Sequence, residues 1–351
     1  MVEEIRQIPA RVGDLLADGD AGVAAAAEAV ARASPSWASI AGRGTSDHAA
    51  TFGRYLFETL LGMPTGLAAP SVTSVYQASI DWRGGLLVAV SQSGQSPDVI
   101  AVVEAARAGG ALTIAVTNDV RSELAAAAEC VIDCRAGPER SVAATKTYVA
   151  ELVVIAMLVD RLRPGIGLRP ALLRLPTALR KVIEDAEAWL ATTQIVTEFA
   201  SADRALIVSR GYNLATALEV ALKLKETTGL FADGFSTADL EHGPVTLAAA
   251  DVPVLAVRPS GAMGARVDDV LSRLMAAGVE PWSVGAVARV RSRHAAQVPR
   301  DHVLALDLDL PDPISPAAFV VPGQLLAEAV ARRRGLDPDA PRGLAKITRT
   351  T

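Results

Sequence analysis

Cysteine is scarce in this chain of 351 residues, which has only Cys130 and Cys134. A single pair makes neither a disulfide framework nor, without histidines nearby, a zinc site. The surrounding segment, AECVIDC, has the pattern of a short strand. We therefore expect both to be ordinary reduced cysteines.

Charge is also limited. Charged residues make up 21% of the chain and the formal net charge is −5, while hydrophobic residues make up 50%. The small negative charge excludes a general attraction to nucleic acids or to anionic membranes, so we expect neither as a partner. The apolar content predicts a globular protein with a sizeable core.

Export and membrane signals are missing as well. The start, MVEEIRQIPARVGDLL, has acidic residues where a signal peptide needs a basic flank followed by an apolar run. The most apolar window, Val149 to Val159, contains Glu151 and is shorter than the roughly 20 residues that cross a bilayer. We interpret it as a buried helix, and we expect a cytoplasmic protein.

What the sequence does contain is an internal repeat. The segment ASIAGRGTSDHAATFGRYLFETLLG, which begins at Ala38, aligns without a gap with ALIVSRGYNLATALEVALKLKETTG, which begins at Ala205. The same offset aligns AVSQSG at Ala89 with AVRPSG at Ala256. Each repeat alternates apolar strands, turns and amphipathic helices. This predicts an α/β fold of two tandem domains, each a parallel sheet flanked by helices on both faces.

The strongest ligand signal lies in a turn of the first repeat. The turn Ser91 to Ser96 follows an apolar strand and precedes Pro97, which suits a helix start. One serine there usually only caps the helix, but three in six residues, with a glycine, predict a phosphate site. The second repeat has Arg258-Pro259-Ser260 instead, so we expect one such site per chain. Gly44-Thr45-Ser46 adds hydroxyls at the same sheet edge.

A second signal lies on the first helix of the second repeat. Glu219, Lys223 and Glu226 are spaced by four and three residues, which puts them on one helix face. A solvated face with salt bridges and an acid–base site both fit this spacing. Further on, His242 precedes Gly-Pro and is expected to project from a turn, where most histidines are surface or capping residues.

Six motifs in a fixed order carry a resemblance to a known family. They are Gly44-Thr45-Ser46, Ser91 to Ser96, Val142 to Lys146, Ala217 to Glu226, Glu241 to Pro244 and Pro341 to Lys346. Over nearly its whole length the chain resembles the sugar-isomerase (SIS) domain family. The similarity is greatest to the isomerase half of glucosamine-6-phosphate synthase and to stand-alone deaminases similar to it.

The resemblance implies roles for individual residues. The sugar phosphate is expected to be held by Ser91, Gln92, Ser93 and Ser96, with Thr45 and Ser46 beside them, and the sugar to lie along Val142 and Ala144. Ala144 stands where the synthases usually have Ser, which removes one hydroxyl. The implied catalytic residues are Glu226, His242, Lys223 and Lys346. Glu226 would move a proton between C1 and C2, and His242 would assist ring opening.

The family also implies an assembly and a reaction. The equivalent histidine comes from a neighbouring subunit, so a homodimer is expected, and neither step needs a metal or cofactor. The synthase nucleophile is an N-terminal Cys, and no Cys precedes Cys130. The expected reaction is therefore hydrolytic deamination of glucosamine 6-phosphate to fructose 6-phosphate and ammonia.

Two alternatives stay open. One is a deglycase or isomerase of another phosphorylated amino sugar, such as a galactosamine or fructosamine phosphate. The other is a non-catalytic sugar-phosphate sensor, against which stand the retained Glu226 and His242 and the lack of a basic helix-turn-helix pattern. The expected domains are an N-terminal SIS domain with leading helices (1–165), a C-terminal SIS domain (166–335) and a tail that contributes to the active site (336–351).

Overall fold

The computed structural model describes residues 1–287 and 298–346. The chain forms two compact units. The first-repeat unit comprises Gln7–Glu139, Ala144–Pro176 and Ala345–Thr351, and the second-repeat unit comprises Met1–Arg6, Arg140–Ala143 and Thr177–Leu344. The domain boundaries at 165/166 and 335/336 stay a prediction.

The elements follow one another as the repeat predicts. Up to residue 192 they are α1 (Val2–Asp18), α2 (Asp20–Ala33), β1 (Trp37–Ala41), α3 (Thr45–Leu56), β2 (Thr65–Leu67), α4 (Pro70–Ser74), β3 (Gly85–Ser91), α5 (Pro97–Ala108), β4 (Leu112–Thr117), α6 (Glu123–Ala127), β5 (Cys130–Asp133), α7 (Lys146–Leu162) and α8 (Leu168–Thr192). They continue as α9 (Ile195–Ser201), β6 (Arg204–Ser209), α10 (Leu214–Thr228), β7 (Phe231–Ser236), α11 (Thr237–Glu241), β8 (Val254–Arg258), α12 (Gly261–Ala276), β9 (Trp282–Ala286), β10 (Val303–Leu306) and α13 (Ser315–Arg333).

Each unit contains one five-stranded sheet in which every described strand pairing is parallel. The strand order is β2-β1-β3-β4-β5 in the first and β10-β9-β8-β6-β7 in the second, which is the same order counted from the opposite edge. The α/β fold with two parallel sheets flanked by helices is thus confirmed. The free Cys130 and Cys134 lie in and directly after β5, as predicted.

The core of each unit is built around its central strands. All seven residues of β3 are buried, and Leu87 and Ala89 share a core cluster with Val99 and Val103 of α5. In the other unit Val254 and Ala256 of β8 belong to a cluster with residues of α12. Strands covered on both faces must be apolar throughout, which explains runs such as LLVAV. Each buried Leu or Val contributes about 1.5–3 kcal/mol.

Two long helices are buried. The apolar window Val149 to Val159 lies in α7, whose first fourteen residues are all buried, so the predicted buried helix is confirmed. In the described part of the chain, the helical stretch Asp312–Arg333 has the length and composition of a membrane span. However, 94% of its apolar window is buried inside the protein, as in a core helix.

The repeat extends to the backbone dihedral angles. Glycines at equivalent positions of the two repeats have nearly equal positive φ values. The pairs are Gly44 and Gly211 (55° and 64°), Gly62 and Gly229 (66° and 68°), and Gly94 and Gly261 (61° and 63°). The two repeats therefore share the turns at the ends of their strands and helices, and differ in the side chains that these turns carry.

Candidate functional site

The predicted phosphate loop lies where the strand order of its sheet reverses. β1 and β3 are neighbours, and from them the chain proceeds to opposite edges of the sheet, β2 on one side and β4 on the other. The crevice outside the carboxyl ends of two such strands is the usual ligand site in open parallel sheets. The turns after Ala41 and after Ser91 both start at this crevice.

Within this loop the serine oxygens accept hydrogen bonds from the loop's own backbone. Ser91 Oγ accepts from the N–H of Gly94 at 3.2 Å, and Ser93 Oγ accepts from the N–H of Gln95 at 3.3 Å. A hydroxyl that accepts in this way keeps its proton for a further acceptor. Ser96 occupies the N-cap position of α5 but makes no side-chain capping hydrogen bond. Capping alone therefore does not explain these serines.

Gly94 makes the loop geometry possible. Its φ of +61° lies in the left-handed region, and a Cβ built there would be 2.1 Å from Ser122 Oγ. The carbonyl of Gly94 also accepts a hydrogen bond from the N–H of Leu124. The backbone thus passes directly against the start of α6, and no residue with a side chain fits.

An ion pair that the sequence analysis missed links the two turns of this crevice. Arg43 Nε donates to Asp98 Oδ2 at 2.7 Å; Asp98 is buried in the first turn of α5, while Arg43 is half-exposed in the β1–α3 turn. Arg43 lies within the repeated segment and aligns with Arg210, but nothing in the sequence pattern identifies Asp98 as its partner. The pair fixes the serine loop against the Gly44-Thr45-Ser46 turn.

The structure gives Ser46 and Thr45 different environments. Thr45 is half-buried at the first position of α3, whereas Ser46 is buried and its hydroxyl donates to Glu151 Oε1 at 2.9 Å. Because that proton is engaged with Glu151, the oxygen of Ser46 would serve a substrate as an acceptor. The assignment of both residues to the phosphate site stays a prediction.

In the second-repeat unit, α10 carries a chain of three charged groups. Lys223 Nζ lies 2.5 Å from Glu226 Oε2 and 3.4 Å from Glu219 Oε1. The side chains of Lys223 and Glu219 are fully buried, while that of Glu226 is 23% exposed. This is not a solvated face, so that alternative is wrong. Of these three charged groups, Glu226 is the one that solvent reaches.

Two opposing effects act on Lys223. Burial disfavours its charged form, but the charges of Glu219 and Glu226 and their hydrogen bonds outweigh burial and hold the pKa of Lys223 above its ordinary value. Lys223 is therefore a permanent ammonium beside the reachable carboxylate. In the first repeat the equivalent positions are Phe52, Leu56 and Thr59, and the first two belong to the hydrophobic core.

In the second repeat, the turn equivalent to the serine loop contains an ion pair. Arg258, aligned with Ser91, donates to both oxygens of Asp268 at 2.8 and 2.7 Å, and also to the carbonyl of Ala286. Both charged side chains are largely buried. The guanidinium is therefore fully engaged by groups of its own unit at this turn.

A carboxyl group also borders this second turn. The backbone N–H of Ser260 and the hydroxyl of Ser315 both donate to Asp312. Burial is the main effect on Asp312 and outweighs these hydrogen bonds, raising its pKa to about 6.

The remaining predicted residues lie on turns and in the tail. His242 is exposed directly after α11, and its N–H donates to the carbonyl of Asp239, which confirms the predicted turn. Val142 donates its N–H to the carbonyl of Asp339, and Ala144 is half-buried. Lys346 Nζ lies 3.4 Å from a carboxylate that was not predicted, that of Glu139.

Comparisons with known proteins match almost the whole chain. The family model described as the SIS domain matches residues 38–161 and 198–282. The glutamine–fructose-6-phosphate aminotransferase (isomerizing) of Methanothermobacter thermautotrophicus is 36% identical over 351 residues, 99% of this chain and 56% of that protein. The chain spans about half the length of the curated relatives it matches.

Solved structures agree. A protein described as a candidate phosphosugar isomerase from Silicibacter pomeroyi has a TM-score of 0.83 and 35% identity, covering 96% of this chain and 98% of that one. The C-terminal domain of glucosamine-fructose-6-phosphate aminotransferase from Francisella tularensis, at 24% identity, shares the fold with a TM-score of 0.82 and 97% coverage of both chains. The sequence resemblance is thereby confirmed, and the chain belongs to the SIS domain family.

Proposed function

We propose that the protein is an aldose–ketose isomerase of phosphorylated amino sugars and that it deaminates glucosamine 6-phosphate to fructose 6-phosphate and ammonia. The observation that carries this proposal is the partly exposed carboxylate of Glu226 beside the buried ammonium of Lys223, 2.5 Å away. Isomerisation needs one group that removes a proton from one carbon and returns it to the next, and an ionised carboxylate serves this purpose.

The charges on α10 suit both stages of that proton transfer. The ammonium of Lys223 donates a hydrogen bond to the carboxylate that would accept the proton. It also supplies positive charge where an enediol-like intermediate would develop negative charge. Glu219 accompanies Lys223 in the interior and offsets part of the cost of burying its charge.

The proposed phosphate ligands are neutral donors. The proposed ligands Ser91, Gln92, Ser93 and Ser96 belong to the turn that leads into α5, where unpaired backbone N–H groups favour an anion. Thr45 is proposed as a further ligand. Arg43 supplies positive charge nearby. Its Nε donates a hydrogen bond to Asp98, which holds the guanidinium in place. Binding through hydroxyls and backbone agrees with a chain whose net charge is negative.

We assign ring opening to His242 and propose that a second molecule of the chain supplies it. An imidazole can pass a proton from the anomeric hydroxyl to the ring oxygen near neutral pH. The exposure of His242 on its turn agrees with donation to another subunit.

Mixing two inactive variants tests the assignment to a second molecule. Glu226→Gln and His242→Asn subunits, unfolded together and refolded, form one intact site per mixed dimer if the histidine comes from the partner. About a quarter of the wild-type activity should then return, because half of the dimers are mixed. No recovery in a mixture shown by native mass spectrometry to contain mixed dimers would exclude donation.

Water is proposed as the second substrate, since hydrolytic deamination releases the amino group of the sugar as ammonia. Glutamine hydrolysis by a cysteine needs a thiolate. Burial is the main effect on both thiols and raises the pKa of Cys130 and of Cys134 above the ordinary value. Neither of these two thiols is therefore suited to attack glutamine.

The direct experiment is an ammonia assay on the pure protein. Glucosamine 6-phosphate is expected to give ammonia and fructose 6-phosphate in equal amounts, and Glu226→Gln should lower the rate of formation of both by about 10²–10⁴-fold. No ammonia from glucosamine 6-phosphate would exclude the deaminase, and no proton exchange at C2 of any tested aldose phosphate would exclude the isomerase.

A second candidate substrate is supported by Ala144. Without the hydroxyl usual at this position in the synthases, the site has one donor fewer for the sugar, and an epimer or a fructosamine phosphate becomes a plausible substrate. The same assay with galactosamine 6-phosphate and fructosamine 6-phosphate distinguishes these substrates, and the highest kcat/KM identifies the preferred one.

A further inference from the structure

We propose that Glu139 is a positioning residue that holds the ammonium group of Lys346 in place for the reaction. The inference rests on the proposed function, in which Lys346 lines the substrate site. Glu139 belongs to none of the six motifs, and the contact joins residues far apart in the sequence but within the first-repeat unit.

One carboxylate oxygen of Glu139 is fixed by a helix. Oε1 accepts from the N–H of Thr145 at 2.9 Å and from that of Thr147 at 3.2 Å. Thr145 is the N-cap residue of α7 and Thr147 lies in its first turn. A negative charge is favoured there by the unpaired N–H groups and by the helix dipole. The side chain of Glu139 is fully buried, so its position is set by α7.

The other oxygen faces the tail. Oε2 lies 3.4 Å from Lys346 Nζ, and the lysine side chain is 26% exposed. A flexible lysine on a tail has many rotamers, and a buried, fixed carboxylate selects one of them. The helix thus orients Glu139, and Glu139 orients Lys346.

Capping alone does not account for a carboxylate at this point. Thr145 is itself a residue type that caps helices, yet it makes no side-chain capping hydrogen bond to its own helix. Burying a carboxylate costs more free energy than burying a hydroxyl. The ammonium of Lys346 provides the compensating charge that makes the arrangement favourable, and it is the one contact a hydroxyl cap could not make at equal strength.

The key variant is Glu139→Gln. The amide oxygen can still accept from Thr145 and Thr147, whereas the amide nitrogen faces Lys346 and cannot pair with an ammonium group. We expect kcat on the preferred amino-sugar phosphate to fall about tenfold while KM stays within about twofold, because the phosphate loop is unchanged. In a Lys346→Met background the same substitution should have no further effect on kcat. Effects that multiply would overturn the proposal.

A measurement without substrate tests the contact itself. Trypsin cleaves after Lys346, and we expect this cleavage in native protein, followed by mass spectrometry, to be several times faster in Glu139→Gln than in the wild type. Asp185→Asn, which removes an exposed ion pair on α8, is the matched control and should leave the rate unchanged. Equal rates in Glu139→Gln and the wild type would overturn the proposal.

The two failures can be told apart. If the wild type releases no ammonia from any amino-sugar phosphate, the proposed function fails, while the tryptic rate still decides whether Glu139 holds Lys346. If Glu139→Gln does not fold, Glu139→Asp keeps the charge and shortens its reach. A faster cleavage than in the wild type is again expected, and an unchanged rate again overturns the proposal.

Discussion

The turn after β3 and the turn after β8 occupy the same place in two sheets of the same strand order, and they have opposite chemistry. In the first, hydroxyls of Ser91 and Ser93 accept from the loop's own amides and keep their protons for another acceptor. In the second, the guanidinium of Arg258 is engaged by Asp268 and by a carbonyl. The hydroxyl protons of the first turn are therefore offered to a ligand, whereas the guanidinium of the second turn donates to groups of the protein itself.

The helices α3 and α10 show the reverse difference. The first repeat has Phe52 and Leu56 in its core, where the second has the buried ion pair of Glu219 and Lys223, leading to Glu226. The first repeat therefore has the serine turn and a hydrophobic α3, while the second repeat has the charged α10 and an ion pair in place of the serine turn. The comparison teaches that the repeats share a backbone and divide the chemistry between them.

The largest effect is expected from removing the base. Glu226→Gln should lower kcat for the amino-sugar phosphate by about 10²–10⁴-fold, because an amide cannot accept the proton. Steady-state ammonia release measures this. Glu58→Gln, an exposed carboxylate just after α3 in the first repeat, is the matched control and should change kcat by less than about twofold. Equal losses in both variants would contradict the division between the repeats.

Next in size is the ion pair that closes the second turn. Arg258→Ala leaves the largely buried Asp268 without its counter-charge, and we expect a loss of about 3 kcal/mol in the free energy of unfolding. Arg266→Ala, which breaks an exposed ion pair with Asp269 on α12, the helix that carries Asp268, should cost less than about 0.5 kcal/mol. Urea titration measures both. Similar losses in the free energy of unfolding for the two variants would contradict a stabilising role of the Arg258–Asp268 pair.

A pH effect is expected at the same turn. Because the folded-state pKa of Asp312 is raised to about 6, the folded form binds the proton more tightly than the unfolded form. This contribution is therefore stabilising at low pH and is lost as pH rises through about 6. Asp312→Asn should match the wild type near pH 4 and be more stable by about 2 kcal/mol at pH 7.5. A difference independent of pH would contradict the raised pKa.

The smallest effect separates the two aligned serines. Ser93→Ala removes a hydroxyl from the first turn and should raise KM for the sugar phosphate about tenfold at an unchanged kcat. Ser260→Ala makes the same change in the second turn and should leave KM within about twofold. A larger effect from Ser260 than from Ser93 would reverse the assignment of the phosphate to the first repeat.

The sequence predicted the parts of the molecule that depend on local pattern. The fixed offset gave equivalent turns, and Gly94 and Gly261 indeed have nearly equal φ values. The spacing of Glu219, Lys223 and Glu226 placed them together on α10, which the distances confirm. Such features follow from helix and strand periodicity, which a sequence displays directly.

The parts that it missed depend on contacts between distant residues. Glu139 meets Lys346 and Ser46 meets Glu151 only because the fold brings them together. The sequence left open whether the face of α10 was solvated, since spacing does not report burial. Similarly, Asp98 carried no sign that it pairs with Arg43, because many residues near a helix start are acidic.

The ion pair of Arg258 and Asp268 also limits which single substitutions this turn tolerates. A mutation of Arg258 to serine alone would leave the largely buried carboxylate of Asp268 without its counter-charge. A mutation of Asp268 alone would leave the guanidinium of Arg258 buried without a carboxylate partner. Each single substitution away from the pair is therefore expected to lower stability. A serine at position 258 would need a second change at Asp268 to avoid that cost, so the two positions are expected to change together.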